Sequence, residues 1–152
     1  MESGAKWRKE RRRLDFLGTY NYNMDPKKRV FIPAKYREAL KDGFVVCKAP
    51  DPCLYIYSKE EWEPVANQVK SLPGSAEYRR FKRDFFKNAD MVELDSQGRF
   101  TIKAELAEYA NLQKSVVIAG AGNKFEIWDA AAYEDDCEQA LTADQLNVEV
   151  IF

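Results

Sequence analysis

The chain has 152 residues, 45% of them apolar, including nine Phe, eight Tyr and three Trp, enough to bury one core or two small ones. It holds no histidine and three cysteines, Cys47, Cys53 and Cys137, none in Cys-x-x-Cys spacing. That removes Ser–His, Cys–His and histidine–metal chemistry and argues against a zinc site or a disulfide framework; the expectation is reduced cysteines packed as small apolar groups, with no metal and no cofactor.

The net charge of −1 hides a division. Residues 1–87 carry 20 Lys/Arg against 12 Asp/Glu, whereas residues 88–152 carry 4 against 13. A whole-chain isoelectric point near 5.7 argues against a generic polyanion binder but leaves room for a local basic footprint.

Residues 1–15, "MESGAKWRKERRRLD", are charged and aperiodic. They read as a basic extension, either a flexible arm on nucleic acid or a translated purine-rich leader, with the true start then expected near Leu14 to Leu17. No apolar stretch here forms a secretory signal, and none elsewhere approaches the roughly 20 residues of a membrane helix. A cytoplasmic protein without a membrane partner is expected.

From residue 17 onward the chain repeats itself. Shifted by 70, Asp25 falls on Asp95, Arg29 on Arg99, Ile32 on Ile102 and Ala34 on Ala104; shifted by 71, Ile56 falls on Ile127, Tyr57 on Trp128 and Trp62 on Tyr133. One unit therefore occurs twice, over 17–62 and 88–133. Each copy reads as strand, turn, strand, short helix, strand, turn, strand and helix start. Around "ELDSQGRFTI" the apolar residues alternate on both sides of a polar turn, which predicts a local hairpin. Gly98 suits a positive φ at its turn; the first copy has Lys28 there, at some conformational cost. "IPAKYREALKDG" then switches to helical spacing, with Pro33 in the first turn, Tyr36 and Leu40 on one face and Gly43 closing the end. A second hairpin runs "FVVC" to "CLYIY" and, in the other copy, "SVVIAG" to "KFEIW". Ser58 and Glu61 form a capping box, and Asp129 takes the cap role in copy two.

The expected organisation is thus an α+β chain, mainly β, with short helices and a pseudo-twofold axis. Four short strands per copy bury both faces only by packing against the other copy. Residues 63–87 form a helical connector, with Tyr78, Phe81 and Phe85 on one stripe and Arg79, Arg80, Lys82, Arg83 and Lys87 around it, most simply a solvated face. The matched aromatics Tyr57, Trp62, Trp128 and Tyr133 are expected in the core. The tail, 134–152, offers Leu146, Val148, Val150, Ile151 and Phe152 for packing or subunit contact.

Asp25/Arg29 and Asp95/Arg99 can be local ion pairs, worth little when exposed. The functional alternative is that the loops present cations. Lys27, Lys28, Arg29, Lys35 and Arg37 lie within eleven residues beside a stiff turn, and copy two keeps Arg99 and Lys103. Arginine forks onto guanine edges and phosphates, and a two-stranded ribbon fits the major groove. The partner so implied is double-stranded DNA.

The segments "FLGTYNYNMDPKKRVFIPAKYRE", "CLYIYSKEEW", "ELDSQGRFTI" and "NKFEIWD" resemble the MraZ family of bacterial transcription regulators, built from two SpoVT-AbrB-like units, each with an Asp-x-x-x-Arg motif. The resemblance implies a swapped-hairpin β-barrel and a ring-shaped homo-oligomer. It also implies repression, from repeated promoter sites, of the division and cell-wall gene cluster that includes the protein's own gene, hence nucleoid association. Carried over by position, the motif residues are Asp25, Arg29, Asp95 and Arg99, with Arg37 at an arginine position of the wider pattern; its counterpart Ala107 lacks that contact. Lys28 in place of the glycine found as Gly98 leaves the equality of the two loops open. Two other classes stand beside DNA binding: an antitoxin-like protein-interaction module, and a carboxylate enzyme such as a nuclease, for which no clustered acidic motif exists.

Overall fold

The structure is a computed structural model and describes residues 14–152. Of the expected basic extension only Leu14 and Asp15 fall within that range, and Leu14 packs on the core.

The elements follow the repeat. The first copy contains β1 (Thr19–Asn23), β2 (Arg29–Phe31), a 3₁₀ turn (Ala34–Tyr36) running into α1 (Arg37–Leu40), β3 (Phe44–Lys48), β4 (Leu54–Ser58) and α2 (Lys59–Lys70). The connector helix α3 (Ala76–Asn88) leads to the second copy: β5 (Asp90–Val92), β6 (Arg99–Thr101), α4 (Ala104–Tyr109), β7 (Ser115–Gly120), β8 (Phe125–Asp129) and α5 (Ala130–Cys137). The predicted caps are present. Ser58 Oγ accepts from the Glu61 N–H at 3.3 Å, and Asp129 Oδ2 from the Ala132 N–H at 3.4 Å. Pro33 sits one residue earlier than expected, at the N-cap before the 3₁₀ turn with φ −51°.

Six strands form one antiparallel sheet in the order β1-β7-β8-β4-β3-β5, and β2 pairs with β6 in a separate two-stranded ribbon. The order is palindromic under exchange of the copies: β1 matches β5, β7 matches β3 and β8 matches β4. The two later hairpins, β3–β4 and β7–β8, are local as expected. The first hairpin of each copy is not. Its turn closes, with Asp25 N–H donating to Arg29 O at 3.1 Å and Asp95 N–H to Arg99 O at 2.7 Å, but the arms then part. β1 joins β7 over five residue pairs, β5 joins β3, and β2 joins β6. The correction has a physical cause. Val30 and Phe100 face the core at 0% and 2% exposure, so the chain must leave the sheet at the turn and cover it from above. The swapped arrangement implied by the resemblance is therefore present, but the barrel is not closed: β1 and β5 remain edges of the sheet.

The core lies between the inner face of the sheet and the ribbon with its short helices. Phe44, Val46, Leu54, Ile56, Val116, Ile118, Phe125 and Ile127 alternate inward from the sheet, meeting Val30, Ile32, Tyr36, Leu40, Phe100, Ile102 and Leu106. Phe125 is its aromatic centre, with ring centroids 4.6 Å from Phe16 and 4.9 Å from Tyr36.

The outer face is also covered. Tyr57 and Trp128 are buried as expected. Trp62 stacks on Phe85 at 5.4 Å, and Trp128 lies 6.1 Å from Tyr133. The Tyr78 and Phe81 end of the connector stripe stays exposed. Cys47 and Cys53 are buried free thiols, and burial pushes Cys47 up to about 12, far from a nucleophile. Cys137 departs from the expectation, being exposed, because it ends α5 on the solvent side. The apolar residues of the tail, Leu146, Val148, Val150, Ile151 and Phe152, are all exposed.

Phe125→Ala empties the point where both copies meet. Chemical denaturation should show a loss of about 3–5 kcal/mol; a loss below about 1 kcal/mol would place the centre of the core elsewhere.

Candidate nucleic-acid interface

The two loops between β1 and β2 and between β5 and β6 are built alike, bond for bond. Asp25 Oδ1 accepts the N–H groups of Lys27 at 2.9 Å and Arg29 at 2.8 Å, while Oδ2 takes Arg29 Nε at 2.6 Å. Asp95 Oδ1 accepts from Gln97 and Arg99, each at 2.9 Å, and Oδ2 from Arg99 Nε at 2.9 Å. This is an aspartate turn closed by its own arginine, a use of Asp that the local geometry favours. Each carboxyl is held below its ordinary 3.8, chiefly by the backbone N–H of its arginine and further by that residue's guanidinium and the N–H of Lys27 or Gln97, against an opposing desolvation effect.

Lys28 takes φ +62° and Gly98 φ +82°, and both N–H groups donate to the aspartate carbonyl, at 2.9 and 3.1 Å. The loops therefore share one shape despite the substitution, and Lys28 bears the cost of a left-handed residue with a side chain.

The loops also hold each other. Ile32 N–H donates to Gly98 O at 3.0 Å, and Ile102 N–H to Lys28 O at 2.8 Å, extending the β2–β6 ladder at both ends. Arg29 stands opposite Thr101, and Phe31 opposite Arg99. With Val30 and Phe100 turned inward, period 2 puts Arg29, Phe31, Arg99 and Thr101 on the outer face. The ribbon read from sequence as a local hairpin is thus an inter-repeat ribbon that carries both motif arginines on one side.

Neither arginine is swallowed by its aspartate. Arg29 and Arg99 side chains are 32% and 20% exposed. Each pairs through Nε, and among the described residues no partner takes the terminal N–H groups. A guanidinium so held still presents an outer fork. Its charge is offset by the aspartate, so the excess positive charge comes from neighbours. Lys27, Lys35 and Lys103 are exposed and Lys28 half-exposed, and none has an ion-pair partner among the described residues.

Arg37 is placed differently from the sequence reading. Its Nε donates to Ile32 O at 2.8 Å, its guanidinium lies 5.5 Å from the Phe31 ring centre, and it covers Gly98 of the opposite loop. Sequence reasoning missed this contact. Its signal was present: Arg37 stands over Gly98, and the matched positions in the repeat hold Ala107 and Lys28.

On the connector, Arg79 and Lys82 bond the carbonyls of Gly74 and Leu72, at 2.5 and 2.7 Å, so part of that basic stripe caps backbone rather than standing free. Among the described residues, no group of three or more His, Cys, Asp or Glu is placed to hold a metal ion, and no helix is long and apolar enough to cross a membrane.

A family model described as "MraZ protein, putative antitoxin-like" matches residues 16–84 and 85–148. Proteins named "Transcriptional regulator MraZ" are similar to the chain: that of Heliobacterium modesticaldum is 44% identical over 126 residues, covering 82% of this chain and 88% of the relative. That of Alkaliphilus oremlandii is 47% identical over 120 residues, covering 78% and 84%. That of Carboxydothermus hydrogenoformans is 42% identical over 129 residues, covering 84% and 90%.

The lowered aspartates link the loops to pH. A folded-state pKa below 3.8 contributes stability that is present above 3.8 and lost as pH falls through the folded value. Asp25→Asn and Asp95→Asn keep an acceptor but cannot titrate. Each should melt below the wild type at pH 6, with the gap narrowing as pH drops below 3.8; a gap independent of pH would mean that the charge does not lock the loop.

Proposed function

The chain belongs to the MraZ family, and from that premise we propose that it regulates transcription by binding DNA through the β2–β6 ribbon and its two loops. The observation that carries this is the outer face of the ribbon. It carries Arg29 and Arg99 diagonally across the two strands, Arg29 opposite Thr101 and Arg99 opposite Phe31, each with an outer fork, with Lys27, Lys28, Lys35 and Lys103 on the neighbouring loops and turns. A two-stranded ribbon has the width for a major groove, forks recognise guanine edges, and lysines neutralise phosphates. Asp25, Asp95 and Gly98 shape the loops and do not touch the duplex. The relatives are named regulators and not enzymes.

Repression of the division and cell-wall gene cluster from repeated promoter sites, at the nucleoid, is the finer form of the same reading. So is a ring-shaped homo-oligomer. One ribbon offers few phosphate contacts, and linked copies gain affinity by effective concentration, often by about 10²–10⁴. Exposed Leu146, Val148, Val150 and Ile151 supply apolar surface for such contacts. So does a groove of about 420 Å³ between the sheet and the connector helices, lined in part by Tyr55, Tyr57, Phe81, Phe85 and Tyr109. The same surface favours the second reading, a protein-interaction module in which an antitoxin-like partner is held without DNA.

Fluorescence anisotropy on DNA from upstream of the protein's own gene distinguishes them. The expected result is binding that outcompetes scrambled DNA and weakens steeply with salt, with the slope of log K against log salt reduced by about 1–2 when Lys27 and Lys28 become alanine. Binding that is absent or insensitive to salt would overturn the reading in favour of the protein module.

A further inference from the structure

We propose that the two loops have unequal jobs: Arg37 is a clasp that pins the second loop by standing on Gly98, while the first loop, left uncovered by Ala107, is the one whose Lys28 reaches DNA. The proposal rests on the DNA-binding reading for its second half only.

The observations are complementary across the pseudo-twofold axis. A Cβ at Gly98 would meet Arg37 Nε, and would lie 2.6 Å from Arg37 Cδ and 2.9 Å from Cζ, closer than real Cβ atoms come. Glycine at 98 thus suits both φ +82° and the arginine above it, which a Cβ would push aside. Gly98 is accordingly buried, whereas Lys28, at the matched place, is half-exposed. The matched position to Arg37 is Ala107, which is buried and short. No long side chain from that position reaches over Lys28, so this loop tolerates a Cβ and carries a lysine in the left-handed conformation. A long residue at 37 goes with no side chain at 98, and a short residue at 107 goes with a long one at 28.

Arg37 is anchored where it stands. Its Nε is spent on Ile32 O at 2.8 Å, and its plane lies over Phe31. Ile32 in turn donates to Gly98 O, so one arginine fixes the end of its own strand and the loop that strand leans on. The Nε bond and the Phe31 contact make Arg37 a positioning residue for the second loop. The second loop carries Gln97 and Gly98 where the first carries Lys27 and Lys28, which leaves the first as the cationic one.

The experiment is a double-mutant cycle on the full chain, joined to salt titrations. Gly98→Ala should lower the unfolding midpoint further in the wild type than in an Arg37→Ala background, where only the cost of the positive φ remains. If Gly98→Ala alone leaves no folded protein, recovery of folding in the double variant gives the same answer. Equal losses in both backgrounds, or a double variant as unfolded as the single, would overturn the clasp. In the titrations, Lys28→Ala should reduce the salt slope by about 1, while Arg37→Ala lowers affinity with the slope unchanged. A slope reduced equally by Arg37→Ala would make that arginine a phosphate contact and overturn the division of labour. Should the wild type bind no DNA, the functional reading and the role of Lys28 fall together, and the midpoints of the cycle still decide the clasp.

Discussion

The structure depends on a debt that each repeat owes the other. Neither copy supplies a strand to pair with its own β2 or β6, and neither covers the inner face of its own hairpin. The β2–β6 ladder settles both at once, because pairing the two short strands drives Val30 and Phe100 down onto the sheet. Three residue pairs are few for an independent ribbon. The ribbon holds because Ile32 and Ile102 extend the ladder into the opposite loop, and because the apolar area beneath it is continuous. Loop shape, ribbon and core are consequently one cooperative unit.

That dependence explains why the charged surface is stiff. A loop of four or five residues rich in lysine is ordinarily mobile. Here its aspartate takes three donors and the Lys28 carbonyl is fixed by the other copy. The arginines are oriented before any ligand arrives, so less conformational freedom remains to be lost on binding. The ion pairs, half-exposed as they are, add little to stability; their effect is to aim a fork.

Much of this was legible in the residues. The 70-residue shift, the Asp–Arg spacing and the caps at Ser58 and Asp129 follow from local chemistry, which acts over a few positions and is written in consecutive letters. The partner of each first hairpin was not. Alternation at Val92 and Leu94, or at Val30 and Ile32, says which side of a strand is buried, and is silent on which strand lies beside it. The contacts of Arg37 were not legible for a related reason. Its charge and its place beside Lys35 suggested an outward cation, and nothing local announces the room that Gly98, sixty-one positions away in the chain, leaves for it. Cys137 was misjudged because apolar character alone does not say whether a surface exists to receive it.

Joining both repeats in a single polypeptide changes what mutation can reach. In a dimer of identical subunits every substitution arrives in duplicate, and a residue too large for one site would damage both. Here the position held by glycine in one copy carries a lysine in the other. Within one chain the halves need not match: one position can hold a lysine while its counterpart holds the glycine that fits beneath an arginine.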